Sequence, residues 1–287
     1  MLWFPLSLFC ALFLSTSDAL SKKALKQSNP YIISWVRLGY SVPFLLTILP
    51  FISIPHLDFT FWIVILVAFP LEITALILYV RAISVSPLSL TIPFLAFTPV
   101  FLILTSFIML GEFPDRSGMS GILFIAVGVY LLNVHMSKKG ILKPFKAVFE
   151  ERGSILMIIV AFIYSITSNL GKLAIQHSSP VFFGILYFLL LSIISLPVFT
   201  IGSKQKASRI FTFKLIFLAI GVFHALVVLT HVWAISLIEV PYMISVKRTS
   251  LLFSVIYGWL LFKEVNIKER LLGVSIMLIG LIFITLF

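Results

Sequence analysis

The chain has 287 residues, 61% hydrophobic and 11% charged, with a mean hydropathy of +1.17. That composition excludes a soluble globular domain and fits a chain that lies mostly in a bilayer. The net charge of +11 sits in short connections between apolar runs, which excludes a nucleic-acid surface, and the single cysteine, Cys10, excludes an internal disulfide.

Ten apolar segments follow one another at approximately 2–20, 31–50, 60–80, 87–109, 117–136, 154–175, 181–201, 212–235, 240–262 and 267–287. Each is about long enough to cross the hydrocarbon core as a helix. The first ends on the small-x-small triplet Ser17-Asp18-Ala19, which resembles a cleavage site. No basic region precedes it and the repeat below needs it, so it is read as a span. Ser15, Asp18 and Lys22 on this segment share a helix face. Arg37 interrupts the second segment. Glu72 and Tyr79 lie seven apart near the middle of the third. Pro93 and Pro99 predict a kinked or broken fourth segment. The basic stretch 137–153 divides the chain in half.

In the second half, Ser165, Ser168 and Lys172 repeat the first-segment spacing, with Asn169 beside them. His224 and His231 lie seven apart on the eighth segment. The ninth stretch, Glu239 to Glu264, carries Lys247 and Arg248 at bilayer depth, where a charge costs at least ~2.5–3.5 kcal/mol on insertion scales. Read as one continuous helix, it aligns Lys247, Ser250, Ser254 and Tyr257 on a single face. That face is expected to border a cavity. The competing account makes the basic pair the neutraliser of a buried acid, Glu72 or Asp18.

The halves match. A shift of 150 superposes Ala11 on Ala161, Ser15 on Ser165, Lys22 on Lys172 and Pro30 on Pro180. A shift of 152 superposes Glu112 on Glu264, Gly121 on Gly273 and Gly128 on Gly280, and pairs Glu72 with His224 and Tyr79 with His231. The change of shift places two extra residues near Gly202–Ser208. An odd number of spans per unit makes the second unit enter from the opposite side. The expectation is an all-α integral membrane fold of ten helices in two inverted five-helix repeats, 1–136 and 154–287, joined by the linker 137–153. Inverted repeats recur in secondary transporters, with the site near the midplane between them.

Several patterns lie at matching places in the two halves: Ala82-x5-Leu88 through Leu110-Gly111-Glu112, then Gly121 and Gly128; and Trp233–Ser236, Phe262–Glu264, then Gly273 and Gly280. With them the chain resembles EamA-type members of the drug/metabolite transporter superfamily over essentially its whole length. The resemblance implies transport of a small organic solute. The ninth segment is also similar to that of triose-phosphate translocators, where a Lys-Arg pair holds phosphate. Their fourth-helix lysine is missing here, because Leu95 and Ala96 stand opposite Lys247 and Arg248.

The candidate binding residues are therefore Lys247, Arg248, Ser250, Ser254, Tyr257, Glu72, Tyr79, His224 and His231, with Asp18, Asn169 and Arg37 as further cavity-lining candidates. An ionised carboxylate is costly at the depth of Glu72, and histidine titrates near neutrality, so a proton-linked step or solute exchange is expected. Lys22 and Lys172 read as snorkelling side chains, Glu112 and Glu264 as structural, and the four glycines as close-packing positions. No phosphate-cradling G-x-x-x-x-G-K-[ST] and no H-E-x-x-H spacing occurs, so no cofactor or metal is expected. The partners are a small molecule and the lipid bilayer, with no nucleic acid. The alternatives are an ion or metal carrier of the same superfamily and an intramembrane enzyme acting on lipid. Sixteen of the 21 Lys and Arg fall in the loops after odd-numbered spans or within the first four residues of the span that follows. The positive-inside rule then puts both termini outside, in a cell membrane, whereas the family usually has them in the cytoplasm.

Overall fold

The computed structural model describes residues 2–102, 116–140, 142–204, 214–238 and 240–286. Glu112 and most of the 202–208 segment lie outside them. The described residues are helical throughout, with no strand. Five helices are long and apolar enough to cross a membrane: Trp3–Ala24, Phe59–Val85, Arg152–Gln176, Pro180–Ser203 and Leu215–Leu237, the first, third, sixth, seventh and eighth spans. The second is divided into Pro30–Gly39 and Val42–Leu46, the fifth is Arg116–Leu132, and the tenth is Ile267–Leu286.

Local chemistry sets the helix starts. The Asn29 side chain accepts from Tyr31 N with Pro30 at the first helical position, and Asp58 accepts from Phe61 N. Each satisfies an amide that the helix itself leaves unbonded. Pro70 and Pro197 lie inside the third and seventh spans. Thr74 and Thr200 donate their hydroxyls to the proline carbonyls, 2.7 and 2.9 Å away.

The fourth and ninth spans are both broken. The fourth starts as Leu88–Thr91, tightens to a 3-10 turn over Ile92–Ala96 around Pro93, and resumes helically to Leu102. The ninth runs Val240–Lys247 and then Ser250–Phe262. Neither proline nor glycine lies at its break. Instead Arg248 N and Thr249 N bond three residues back, to Ser245 O and Val246 O. The continuous ninth helix expected from the sequence is thus corrected to two helices of different register. Its end is a left-handed Lys263 (φ 52°), with Glu264 N bonded to Gly258 O in a Schellman closure.

The two repeats are inverted and interdigitated. A Cβ on Gly128 would lie 2.6 Å from Gly273 O, and one on Gly280 would lie 2.6 Å from Gly121 O. The pairing 121 with 280 and 128 with 273 runs antiparallel, so the fifth and tenth spans cross the bilayer in opposite directions. The second and seventh do likewise: Trp35 Nε1 donates to Ser192 O at 2.9 Å, and Tyr31 packs on Gly202. The first span packs on the eighth, and the third packs on the sixth. The linker contains the short helix Lys143–Glu150.

Both repeat-related lysines do the same work. Lys22 Nζ donates to Ile83 O and Ser86 O at the end of the third span, at 3.3 and 2.5 Å. Lys172 Nζ donates to Ile235 O and Ile238 O at the end of the eighth, at 2.7 and 3.3 Å. Each cation satisfies the carbonyls a helix leaves unpaired and complements the negative end of its dipole. This corrects the snorkelling expectation.

Candidate functional site

A cavity of about 170 Å³ lies between the repeats. One water needs about 10–15 Å³ on the same measure, so the space suits a small solute. Lys247, Arg248, Glu72, Tyr79, His224, His231 and Arg37 all line it. Glu72 and Tyr79 come from the third span, and His224 and His231 from the eighth. The seven-residue spacing on each helix brings both members to one face, as expected.

Arg37 and Asp18 form a buried pair at 2.7 Å. Asp18 also accepts from the Tyr79 hydroxyl at 2.5 Å, and the Arg37 guanidinium lies 5.0 Å from the Tyr79 ring centre. Asp18 therefore stands behind the wall, holding two wall residues, and does not line the cavity. It is spent on Arg37 and does not neutralise the basic pair.

Arg248 donates to Thr98 Oγ1 at 2.7 Å, is 3% exposed, and its Nε has no hydrogen-bond partner among the described residues. Lys247 Nζ lies 3.4 Å from His231 Nδ1. A lysine ammonium only donates, so a hydrogen bond between the two uses that ring nitrogen as its acceptor. No carboxylate comes within 4 Å of either cation among the described residues. Glu72 and Thr167 stand on the same cavity wall.

Ser250, Ser254 and Tyr257 do not line the cavity. Ser15 Oγ donates to Ser250 O at 2.8 Å, Ser254 Oγ donates to Ser15 Oγ at 3.4 Å, and Tyr257 meets Thr16 Oγ1 at 2.9 Å. The break at Arg248 and Thr249 is the reason: it turns the rest of the ninth span toward the first, where the stripe serves helix packing. Asn169 is also corrected. It is exposed, while the same helix gives Thr167, Ser168 and Gly171 to the cavity.

Tyr164, Tyr187, Phe183, Phe188 and Thr167 line the cavity without having been picked from the sequence. A signal existed for two of them. Tyr187 is the repeat counterpart of Arg37, and Tyr164 that of Leu14, at the shift of 150.

Glu264 has a structural place. It accepts from Leu88 N and Ser89 N at 2.7 and 2.9 Å, capping the fourth span, and pairs with Lys22 at 3.6 Å and Arg270 at 3.3 Å. Ser86 and Ser154 both bond Glu151 nearby. This network fastens the face that carries the odd-numbered loops. The opposite face has Asp58 and His177, 2.6 Å apart and partly exposed. The Phe61 amide, and after it the His177 ring, hold the Asp58 carboxyl below its ordinary range.

Broken helices, inverted repeats and a cavity with charged walls between the repeats are an architecture that recurs among multi-pass membrane transporters. The sequence profile of the EamA-like transporter family matches residues 1–134 and again 151–286, and the chain belongs to that family. A solved structure titled only "Crystal structure of protein" superposes with a TM-score of 0.65 at 14% identity, over 98% of this chain and 96% of that one, and so shares the fold. No curated protein matches.

Proposed function

We propose that the chain moves a small organic solute with an anionic group by alternating access through the central cavity. The observation that carries this is the pair Lys247 and Arg248, which face the cavity with no carboxylate in ion-pair contact among the described residues. Arginine can grip a carboxylate or phosphate through two parallel bonds, and lysine adds a point charge. Glu72, across the cavity, is the group proposed to carry a coupled proton, with solute exchange as the other drive. The bases outnumber the acids on the wall, which argues against a cation carrier. Membership of a transporter family favours this reading over an enzyme. The functional halves are proposed as 1–136 and 154–287, about the linker 137–153.

The test is counterflow in proteoliposomes loaded with a panel of unlabelled organic anions. Labelled anion should accumulate against protein-free vesicles, and absence of uptake for every anion, with uptake of a cation, overturns the reading. Uptake by Glu72→Gln with unchanged pH dependence would remove the proton role. The charge of the loops supports a cell membrane with the odd-numbered loops in the cytoplasm. Impermeant thiol labelling of Ser137→Cys against Ser178→Cys tests that. Labelling from outside at 178 alone is expected, and labelling at 137 alone refutes it.

A further inference from the structure

The cavity has two zones, and they differ along the membrane normal. At its inner end stand Lys247, Arg248, Glu72 and Tyr79. Toward the face of Asp58 and His177 the wall is Val64, Ala174, Phe183, Val232, Ile235 and Ile244. Val64 is eight residues from Glu72, about 12 Å along the helix axis at ~1.5 Å per residue. Ala174 is near the end of the sixth span, Phe183 near the start of the seventh, Ile235 near the end of the eighth and Ile244 near the start of the ninth. These helix ends all belong to the same face of an alternating bundle. The cavity is thus an apolar neck above a cationic floor, displaced from the face that the Lys22, Glu264 and Arg270 network fastens.

We infer that the solute is a monoanion with an apolar body, its charged group on Lys247 and Arg248 and its hydrocarbon or aryl part in the neck. This rests on the reading of the cavity as the transport site. Charge bookkeeping favours one negative charge. Asp18 and Arg37 cancel each other at 2.7 Å. Two cations and one acid remain on the wall, so in the state in which Glu72 has released its proton a single positive charge is left for the ligand. A phosphate dianion would exceed that, and its further oxygens would meet a largely apolar neck whose polar neighbours are His231 at its inner edge and Thr167 and Ser168 deeper on the wall, which is costly in a desolvated site. A ligand without an apolar body would leave the neck unfilled and gain nothing from burial there.

Benzoate is the probe, with acetate, inorganic phosphate, benzyl alcohol and benzylamine as comparisons, measured on the detergent-purified full chain by thermal shift and calorimetric titration. Benzoate should bind about tenfold or more tighter than acetate. Phosphate and benzyl alcohol should give no stabilisation at the same concentration. Lys247→Gln should lose the benzoate response and keep its unliganded melting temperature. The near-isosteric pair Val64→Thr with Val232→Thr makes the neck polar without changing its shape, and should weaken benzoate several-fold while leaving acetate unmoved. Equal binding of acetate or phosphate, or preferential binding of benzylamine, overturns the inference. Benzoate binding without counterflow of labelled benzoate would uphold the ligand class and sink the transport reading. Counterflow of phosphate alone would do the reverse.

Discussion

The two halves of this chain agree where they build the bundle and disagree where they line the cavity. Lys22 and Lys172 cap equivalent helix ends, and Gly121, Gly128, Gly273 and Gly280 form one seam from both sides. At the cavity, equivalent positions line one space but carry different chemistry. Arg37 stands opposite Tyr187, Glu72 opposite His224, Tyr79 opposite His231, and Leu95 opposite Lys247, and all eight line the same space. A cavity on a pseudo-two-fold axis is necessarily walled by equivalent positions from both halves. Only divergence at those positions can give it one charged end and make it fit an asymmetric solute.

The sharpest way to break this comparison is the Asp18–Arg37 pair. Arg37→Leu strands a buried acid and should cost ~3–5 kcal/mol, read as melting temperature in detergent. Asp18→Ser with Arg37→Tyr installs the residues that the second half has at these places, Ser168 and Tyr187, and should recover most of that loss. A double variant no better than the single one would show that the halves are not interchangeable there. The seam comes next. Gly128→Ala and Gly273→Ala each drive a methyl into the facing backbone and should cost ~1–3 kcal/mol. Strongly unequal effects would contradict an equivalent approach from the two sides. The capping lysines sharpen the scaffold side. Lys172→Met removes two carbonyl contacts and should cost ~1–2 kcal/mol. Lys22→Met should cost more, since it also removes a partner of Glu264.

The smallest effect lies at Asp58. Its carboxyl is held below the ordinary value by the Phe61 amide and His177. A depressed carboxylate contributes stability above its unfolded pKa and loses it as pH falls through the folded one. The small difference between wild type and Asp58→Asn should therefore be full above about pH 3.8, the ordinary value, and shrink as the pH falls below it through the depressed folded pKa. A difference that grows as the pH falls below about 3.8 would contradict the contact.

Much of the fold was legible because span length and repeat register are properties of the chain alone. The seven-residue spacings on the third and eighth spans identified four wall residues for the same reason. Ser250, Ser254 and Tyr257 were misplaced because a helix can tighten at Arg248 and Thr249 without proline or glycine to announce it. Asn169 was misplaced by one helical step. The role of Lys22 was hidden because its acceptors, Ile83 O and Ser86 O, are backbone groups some sixty residues away. Asp18 read as a wall residue because sequence shows that an acid is buried and not which cation claims it.

The interdigitation of the repeats bears on how the protein is made. The first span finds its packing partner in the eighth, the second in the seventh, the third in the sixth and the fifth in the tenth. No early span can complete its contacts with neighbours already synthesised. At ~5–20 residues per second the ribosome needs roughly 10–30 s to deliver the second half after the first. Throughout that interval Asp18 and Arg37 can already find each other, whereas the glycine faces of the fifth span, and the wall residues of the third, stand open to lipid or to a chaperone of the insertion machinery. The duplicated unit is a unit of sequence and not of folding, and its assembly is completed only when the last span arrives.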